Sequence, residues 1–238
     1  MMKLTPRLAA IADLVPVGSV VADIGTDHGY LPVYLLSEGI SQRVIASDVN
    51  KAPLDQARET VAALNCTHKV DLRLGNGLHV LRQDDNPDTV IIAGMGGRTI
   101  TLILEEGRHK LAGVERFILQ PMSEAGYLRL FLAQNGFALV HESLAMEGKR
   151  LYEIILAKPG KEMETDPFRL SFGPRLLEKK PELFPVLVRD KIRKLRIVYF
   201  NLQNARHRNM SEKIKTVEKE LMYLEEVLAG AVERADID

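Results

Sequence analysis

The stretch Ser19-Val20-Val21-Ala22-Asp23-Ile24-Gly25-Thr26-Asp27-His28-Gly29-Tyr30-Leu31-Pro32 decides how this chain folds. It opens on an apolar run that reads as a buried strand, places an acid near the strand end, and follows it with Gly25 and Gly29. A second run, Arg43-Val44-Ile45-Ala46-Ser47, ends in another acid, Asp48. Strand, glycine loop, helix and acid-tipped strand together describe a nucleotide-type cofactor pocket at the carboxyl edge of a parallel sheet.

The alternation continues on both sides of this core. Leu4, Leu8, Ile11 and Val15 recur at helical spacing and predict a leading helix that ends before Pro16. A helix is expected from Tyr30 to Glu38, stopped by Gly39, and another after Asp48, capped by Asn50. Further strands are expected at 70–74, 89–93 and 117–119, with helices from Gly97 to Lys110 and from Glu124 to Asn135. Residues 138–145 and 151–157 read as a closing strand pair that turns at Glu147-Gly148. This order predicts a doubly wound α/β domain.

After Ala157 the composition changes. Pro159, Gly160, Pro167, Gly173, Pro174, Pro181 and Pro185 read as a linker. Val188, Ile192, Leu195, Tyr199 and Leu202 then alternate steps of four and three, as do Ile214, Val217, Leu221, Leu224 and Leu228. Such seams predict a C-terminal antiparallel α-helical coiled-coil hairpin, broken by the polar stretch Arg206 to Ser211. The expected division is a cofactor-binding domain over 1–160, then linker and helical hairpin over 161–238.

The chain has 238 residues, 46% of them hydrophobic, and its 32 basic and 32 acidic residues balance. The balance is not local. Arg189, Lys191, Arg193, Lys194, Arg196, Arg206, Arg208, Lys213 and Lys215 are opposed in their own stretch only by Asp190 and Glu212. A patch of this kind steers a polyanion even on a neutral protein. With Cys66 as the single cysteine, no internal disulfide can form, which fits a reducing compartment. Arg7 and Asp13 interrupt the leading segment, unlike a secretory signal, and no apolar run approaches the roughly 20 residues that span a bilayer. A soluble cytoplasmic protein, monomeric or weakly dimeric, with no membrane partner is expected.

The chemistry is carried by the loops after the strands. Gly25 permits a sharp turn, and Asp23 can anchor an ammonium or amide at the pocket floor. Where a dinucleotide fingerprint has its second glycine, this chain has Asp27, next to His28. A carboxylate there repels a pyrophosphate and suits a cofactor with a cationic amino-acid end. That favours S-adenosyl-L-methionine over a nicotinamide dinucleotide. Against this stands Asp27 as a plain helix cap. Asp48 can accept both ribose hydroxyls, and Asn76-Gly77 after the third strand can meet the adenine edge. Gly94-Met95-Gly96-Gly97 marks a backbone that a ligand approaches closely, with Met95 against the cofactor. Gln120-Pro121 ends the fifth strand at the same edge, where Gln120 can hydrogen-bond a base. Arg7 is placed to reach a cofactor carboxylate. The six histidines lack paired ligand spacing, so no metal is expected.

The motifs Asp27-His28-Gly29-Tyr30-Leu31-Pro32, Gly75-Asn76-Gly77-Leu78, Gly94-Met95-Gly96-Gly97 and Ile118-Leu119-Gln120-Pro121 together resemble the bacterial tRNA (adenine-22-N1)-methyltransferase family. The likeness runs from the leading helix to about Ala157. It implies a class I (Rossmann-like) methyltransferase fold, S-adenosyl-L-methionine as cofactor, and transfer to N1 of the adenine at tRNA position 22. On that expectation Asp27 is the first candidate for stabilising charge on the methylated base. Tyr30, Gly96, Gly97, Gln120 and Pro121 face the base, and Arg193 and Arg196 grip the RNA backbone. A small-molecule methyltransferase, with the hairpin as a lid, and a non-catalytic cofactor-binding adaptor are the competing readings.

Overall fold

The computed structural model describes residues 2–204 and 211–235, without the side chains of 231–235. The chain forms two compact units, residues 1–177 and 178–238.

The first unit alternates strand and helix as expected. Helix α1 (Pro6–Ala12) precedes β1 (Ser19–Ile24), α2 (Tyr30–Ser37), β2 (Ser41–Asp48), α3 (Lys51–Ala63) and β3 (Val70–Leu74). Then come β4 (Thr89–Gly96), α4 (Gly97–Glu106), β5 (Arg116–Ser123), α5 (Ala125–Gln134), β6 (Phe137–Glu147) and β7 (Arg150–Pro159). The seven strands form one sheet in the order β3-β2-β1-β4-β5-β7-β6. The pairs β2/β3, β1/β2, β1/β4 and β4/β5 are parallel, whereas β7 runs antiparallel to both β5 and β6. Strand order reverses between β1 and β4, and a crevice opens at that point beyond the carboxyl ends.

Alternation along each strand sorts side chains into two cores. Ala22 and Ile24 face one layer with Ile100 and Leu104 of α4 and Leu128 and Leu132 of α5. Val21 faces the other, with Ile11 of α1, Leu35 of α2 and Val61 of α3. Val90, Ile91 and Ile92 of β4 are fully buried, as a strand covered on both faces must be.

Several boundaries move. Asn50 stands at the N-terminus of α3 but its side chain makes no cap; its N–H donates instead to Asp48 Oδ1 at 2.7 Å. The first unit also extends past the boundary expected at 160. The proline-rich segment folds into α6 (Pro167–Phe172) and α7 (Pro174–Lys179). Glu162 is buried and accepts the Leu139 N–H at 2.7 Å, while Arg175 donates to Leu139 O and pairs with Glu162 at 2.8 Å. Proline and glycine in this stretch set short helices, and buried charge ties them to the sheet. Neither effect has a hydrophobic period to announce it.

The second unit holds α8 (Phe184–Asn204) and α9 (Ser211–Ala235). Arg196 pairs with Glu225 at 2.7 Å, and the Tyr199 hydroxyl donates to Glu218 at 2.8 Å. Moving along α8 while moving back along α9 is the pairing of antiparallel neighbours. Val188, Ile192, Val217 and Leu224 of the predicted seams are buried. Arg206, His207 and Arg208 of the expected polar break lie outside the described residues. Among the described residues no helix is long and apolar enough to cross a membrane.

Candidate active site

Two adjoining cavities open at the reversal of strand order. The larger, about 390 Å³, is walled by Arg7 of α1, Asp23 of β1, the loop Gly25–His28, Tyr30, Asp48 and Ala93–Met95. The smaller, about 240 Å³, lies against Asp48, Gly75-Asn76-Gly77, Met95 and the α4 residues Thr99, Leu102 and Ile103. Gly25, Asp48 and Met95 line both. The site is therefore one elongated groove with Met95 at its waist.

Local geometry explains the glycines. Gly25 turns the chain at φ +83°, and its N–H and that of Thr26 both donate to Ser47 O at 2.8 Å. A Cβ at Gly25 would overlap Met95 Cε. Gly97 serves a different purpose. A Cβ there would overlap the Glu124 carbonyl oxygen, so the glycine lets the β4–α4 turn meet the β5–α5 turn. Gly96 and Gly97 line neither cavity.

The electrostatics are uneven. Asp23 is buried, and burial raises its carboxyl to about 6; the Thr26 hydroxyl opposes that shift and the charge of Asp48 adds to it. Asp27, in contrast, stands at the exposed rim in a left-handed backbone conformation, φ +49°. His28 Nε2 lies 3.6 Å from Asp27 Oδ2, and the His28 ring stacks on Tyr30 with centroids 5.4 Å apart. Arg7 is the one arginine or lysine among the described residues lining the two cavities. Its Nη1 donates to Gln120 Oε1 at 3.0 Å, and the same oxygen accepts the Gly94 N–H at 3.2 Å.

That last arrangement corrects two expectations. Gln120 and Pro121 were expected to face the base. Both are buried and line neither cavity; Gln120 also donates to Pro121 O at 3.0 Å, so its amide is committed on both ends. Gln120 acts from behind, fixing Arg7 and the Gly94 peptide. Its position at a strand end gave no sign of this, since the partner comes from α1, more than a hundred residues earlier. Thr5 and Leu8 also line the larger cavity; the leading segment offers Arg7 alone as a ligand candidate in the sequence, because Leu8 reads there as a packing residue.

Asp23, Gly25, Asp27, His28, Tyr30, Asp48, Asn76, Gly77, Gly94 and Met95 are brought together in the groove. Arg193 and Arg196 belong to the second unit, where they line a groove of about 970 Å³ with Arg189, Ile197, Phe200 and Leu228. The basic patch is less bare than its sequence suggests. Arg193 and Lys194 both pair with Asp190, and Glu225 of α9 meets Arg196. Among the described residues no cluster of three His, Cys, Asp or Glu side chains is placed to hold a metal.

The donor set fits S-adenosyl-L-methionine. Three carboxylates and one guanidinium in the larger cavity match an ammonium, a sulfonium and a carboxylate. The smaller cavity offers Asn76 and an apolar wall to a planar base, and the carboxylates of the larger one would repel a pyrophosphate.

Comparison with known proteins agrees with this geometry. Residues 21–226 match the family model for tRNA (adenine(22)-N(1))-methyltransferase, TrmK. The chain is 32% identical over 233 residues to the tRNA (adenine(22)-N(1))-methyltransferase of Bacillus subtilis, covering 95% of this chain and 98% of the relative. It superposes on the crystal structure of the B. subtilis m1A22 tRNA methyltransferase with a TM-score of 0.86 at 31% identity, over 96% of this chain and all of the other. The Mycoplasma capricolum TrmK structure, a complex with S-adenosyl-homocysteine, matches with a TM-score of 0.81 at 26% identity, over 96% and 99%. The Streptococcus pneumoniae protein Sp1610, in complex with S-adenosyl-L-methionine, matches at 0.84 and 34%, over 95% and all of its chain. Motifs, sheet order and groove thus coincide with a match over nearly the whole length, and the chain belongs to the tRNA (adenine(22)-N(1))-methyltransferase family.

Proposed function

We propose that this protein transfers a methyl group from S-adenosyl-L-methionine to N1 of the adenine at position 22 of tRNA. The observation that carries the reading is the acid-lined, two-lobed groove at the strand-order reversal of a chain from this family. When bound, the cofactor supplies a sulfonium methyl: the adenine N1 lone pair forms the new C–N bond, the C–S bond breaks, and the positive charge passes to the base.

The chain's own residues hold and orient. Asp48 accepts the ribose hydroxyls, and Asn76 with Gly77 takes the adenine edge in the smaller lobe. Asp23 lies under the ammonium, and Arg7 receives the methionine carboxylate. Gly25, His28, Gly94 and Met95 shape the waist and walls. Neutral adenine carries its own lone pair at N1, so attack needs no general base. Catalysis is alignment in a shielded site. Asp27, at the rim, stabilises charge developing on the base or completes the ammonium site. N1 lies on the pairing edge, so the base leaves its stack to react, and Tyr30, already stacked on His28, offers it a face. Arg193 and Arg196 contact the RNA backbone.

Labelled methyl transfer to unmodified tRNA tests the assignment. Incorporation is expected with adenine at position 22 and not with guanine. Equal labelling of both would refute the target site, and no labelling of either would refute the substrate.

A further inference from the structure

The carboxyl edge of the sheet carries a second group of side chains that the cofactor site does not use. The tip of the β6–β7 hairpin reaches the end of β5, where Arg150 Nη2 donates to Met122 O at 2.9 Å. Arg150 Cζ lies 5.3 Å from the centre of the Tyr152 ring, and Arg7 Cζ lies 5.5 Å from the same ring. Arg7 is also a wall of the larger cavity. One tyrosine therefore connects the wall of the groove to an exposed cation at the hairpin tip.

Arg150 differs from the ion-paired arginines of the surface. Arg98 lies 4.3 Å over Tyr127 but is paired with Glu124 at 2.6 Å. Arg193 is paired with Asp190 and Arg196 with Glu225. Arg150 bonds a carbonyl, and among the described residues no carboxylate forms an ion pair with it. Its charge is spent on no internal partner. The neighbouring Lys149 is exposed as well. A guanidinium has five donors in a rigid fork, and a ring beneath it fixes the plane without consuming those donors. That arrangement suits a phosphate.

We propose that Arg150, backed by Tyr152, is an acceptor-side contact for RNA and takes a backbone phosphate beside the extruded target nucleotide. The inference rests on the reading that the acceptor is tRNA. A nucleotide drawn out of its stack into the groove brings its flanking phosphates to the edge where the groove opens. Arg150 stands at that edge, in the same compact unit as the cofactor site.

The test compares wild-type protein with Arg150→Gln and Arg150→Lys. The readouts are KM for tRNA, the salt dependence of tRNA binding, S-adenosyl-L-methionine affinity by calorimetry, and Tm. Arg150→Gln is expected to raise KM for tRNA about tenfold and to reduce the salt slope by about 0.7–0.9, one phosphate's worth. Cofactor affinity and Tm are expected to stay at the wild-type values. Arg150→Lys, which keeps the charge and loses the fork, is expected to recover the salt slope and only part of KM. An unchanged tRNA KM and slope in Arg150→Gln, with wild type methylating adenine 22 normally, overturns the proposal. Wild-type protein that leaves tRNA unmethylated overturns the underlying reading instead, and this contact falls with it.

Discussion

Asp23 and Asp48 sit near the ends of neighbouring parallel strands and face one cavity, and the charge of Asp48 strengthens the hold of Asp23 on its proton. Asp23 thereby takes up its proton only a little below neutral pH. Burial is the larger cause, and it brings the Asp23 carboxyl to about 6 from an ordinary 3.8.

The folded protein binds this proton more tightly than the unfolded chain. Stability from Asp23 is therefore highest below about pH 4 and falls as pH rises to about 6, above which the penalty is complete at about 3 kcal/mol. Asp23→Asn removes the penalty, so the variant should be more stable than wild type at pH 7 and lose that advantage at pH 4. Urea unfolding at the two values checks it. The same variant should lose S-adenosyl-L-methionine binding. In wild type, affinity should drop below pH 6, because the ammonium needs the ionised carboxylate, and calorimetry there should detect proton release.

Gly25→Ala meets two obstacles. The left-handed φ of +83° costs an alanine about 1–2 kcal/mol, and the new Cβ overlaps Met95 Cε. The folding equilibrium should shift by at least about tenfold, since 1.4 kcal/mol is a factor of ten. Adding Met95→Ala relieves the overlap but not the dihedral, so the double variant should recover part of the stability and not all of it. Thermal melting separates the two contributions.

Arg129 is fully buried between Glu142 at 2.5 Å and Glu153 at 2.8 Å. Arg129→Met leaves two carboxylates without their cation. The expected loss is about 3–5 kcal/mol. Combining it with Glu142→Gln and Glu153→Gln should return much of that, because the uncompensated charge goes with the acids. Denaturant midpoints of the single and triple variants decide the matter.

The arginines of α8 should act on RNA alone. Replacing Arg189, Arg193 and Arg196 with glutamine is expected to weaken tRNA binding and flatten its salt dependence. The ion pairs of Arg193 and Arg196 are exposed, so each contributes under about 1 kcal/mol to stability and Tm should barely move. Unchanged tRNA affinity would remove the second unit from RNA recognition.

The strands were legible in the sequence because burial on both faces leaves runs such as Val90–Ile92 uniformly apolar. The cofactor loops were legible because an acid after a strand and a glycine before a helix each have a local cause. Residues that meet across long separations were not. Gln120 looked like a ligand and proved to be a brace for Arg7. The 161–177 segment looked like a linker because its attachment is made of charge, through Glu162 and Arg175, rather than an apolar stripe. In the second unit the bases of α8 cluster within one short stretch of sequence, while the acid opposite Arg196 comes from the other helix.

Met95 lines both lobes of the groove and presses its methyl group against Gly25. A thioether on an unbranched stem rotates at low cost. Small fragments such as adenosine or methionine can each settle in one lobe and leave it where it is. Only a molecule that bridges the constriction has to push it aside. Fragment affinities should therefore sum to more than the linked ligand delivers, once the entropy of joining is set apart, and the shortfall measures how firmly this one side chain guards the passage.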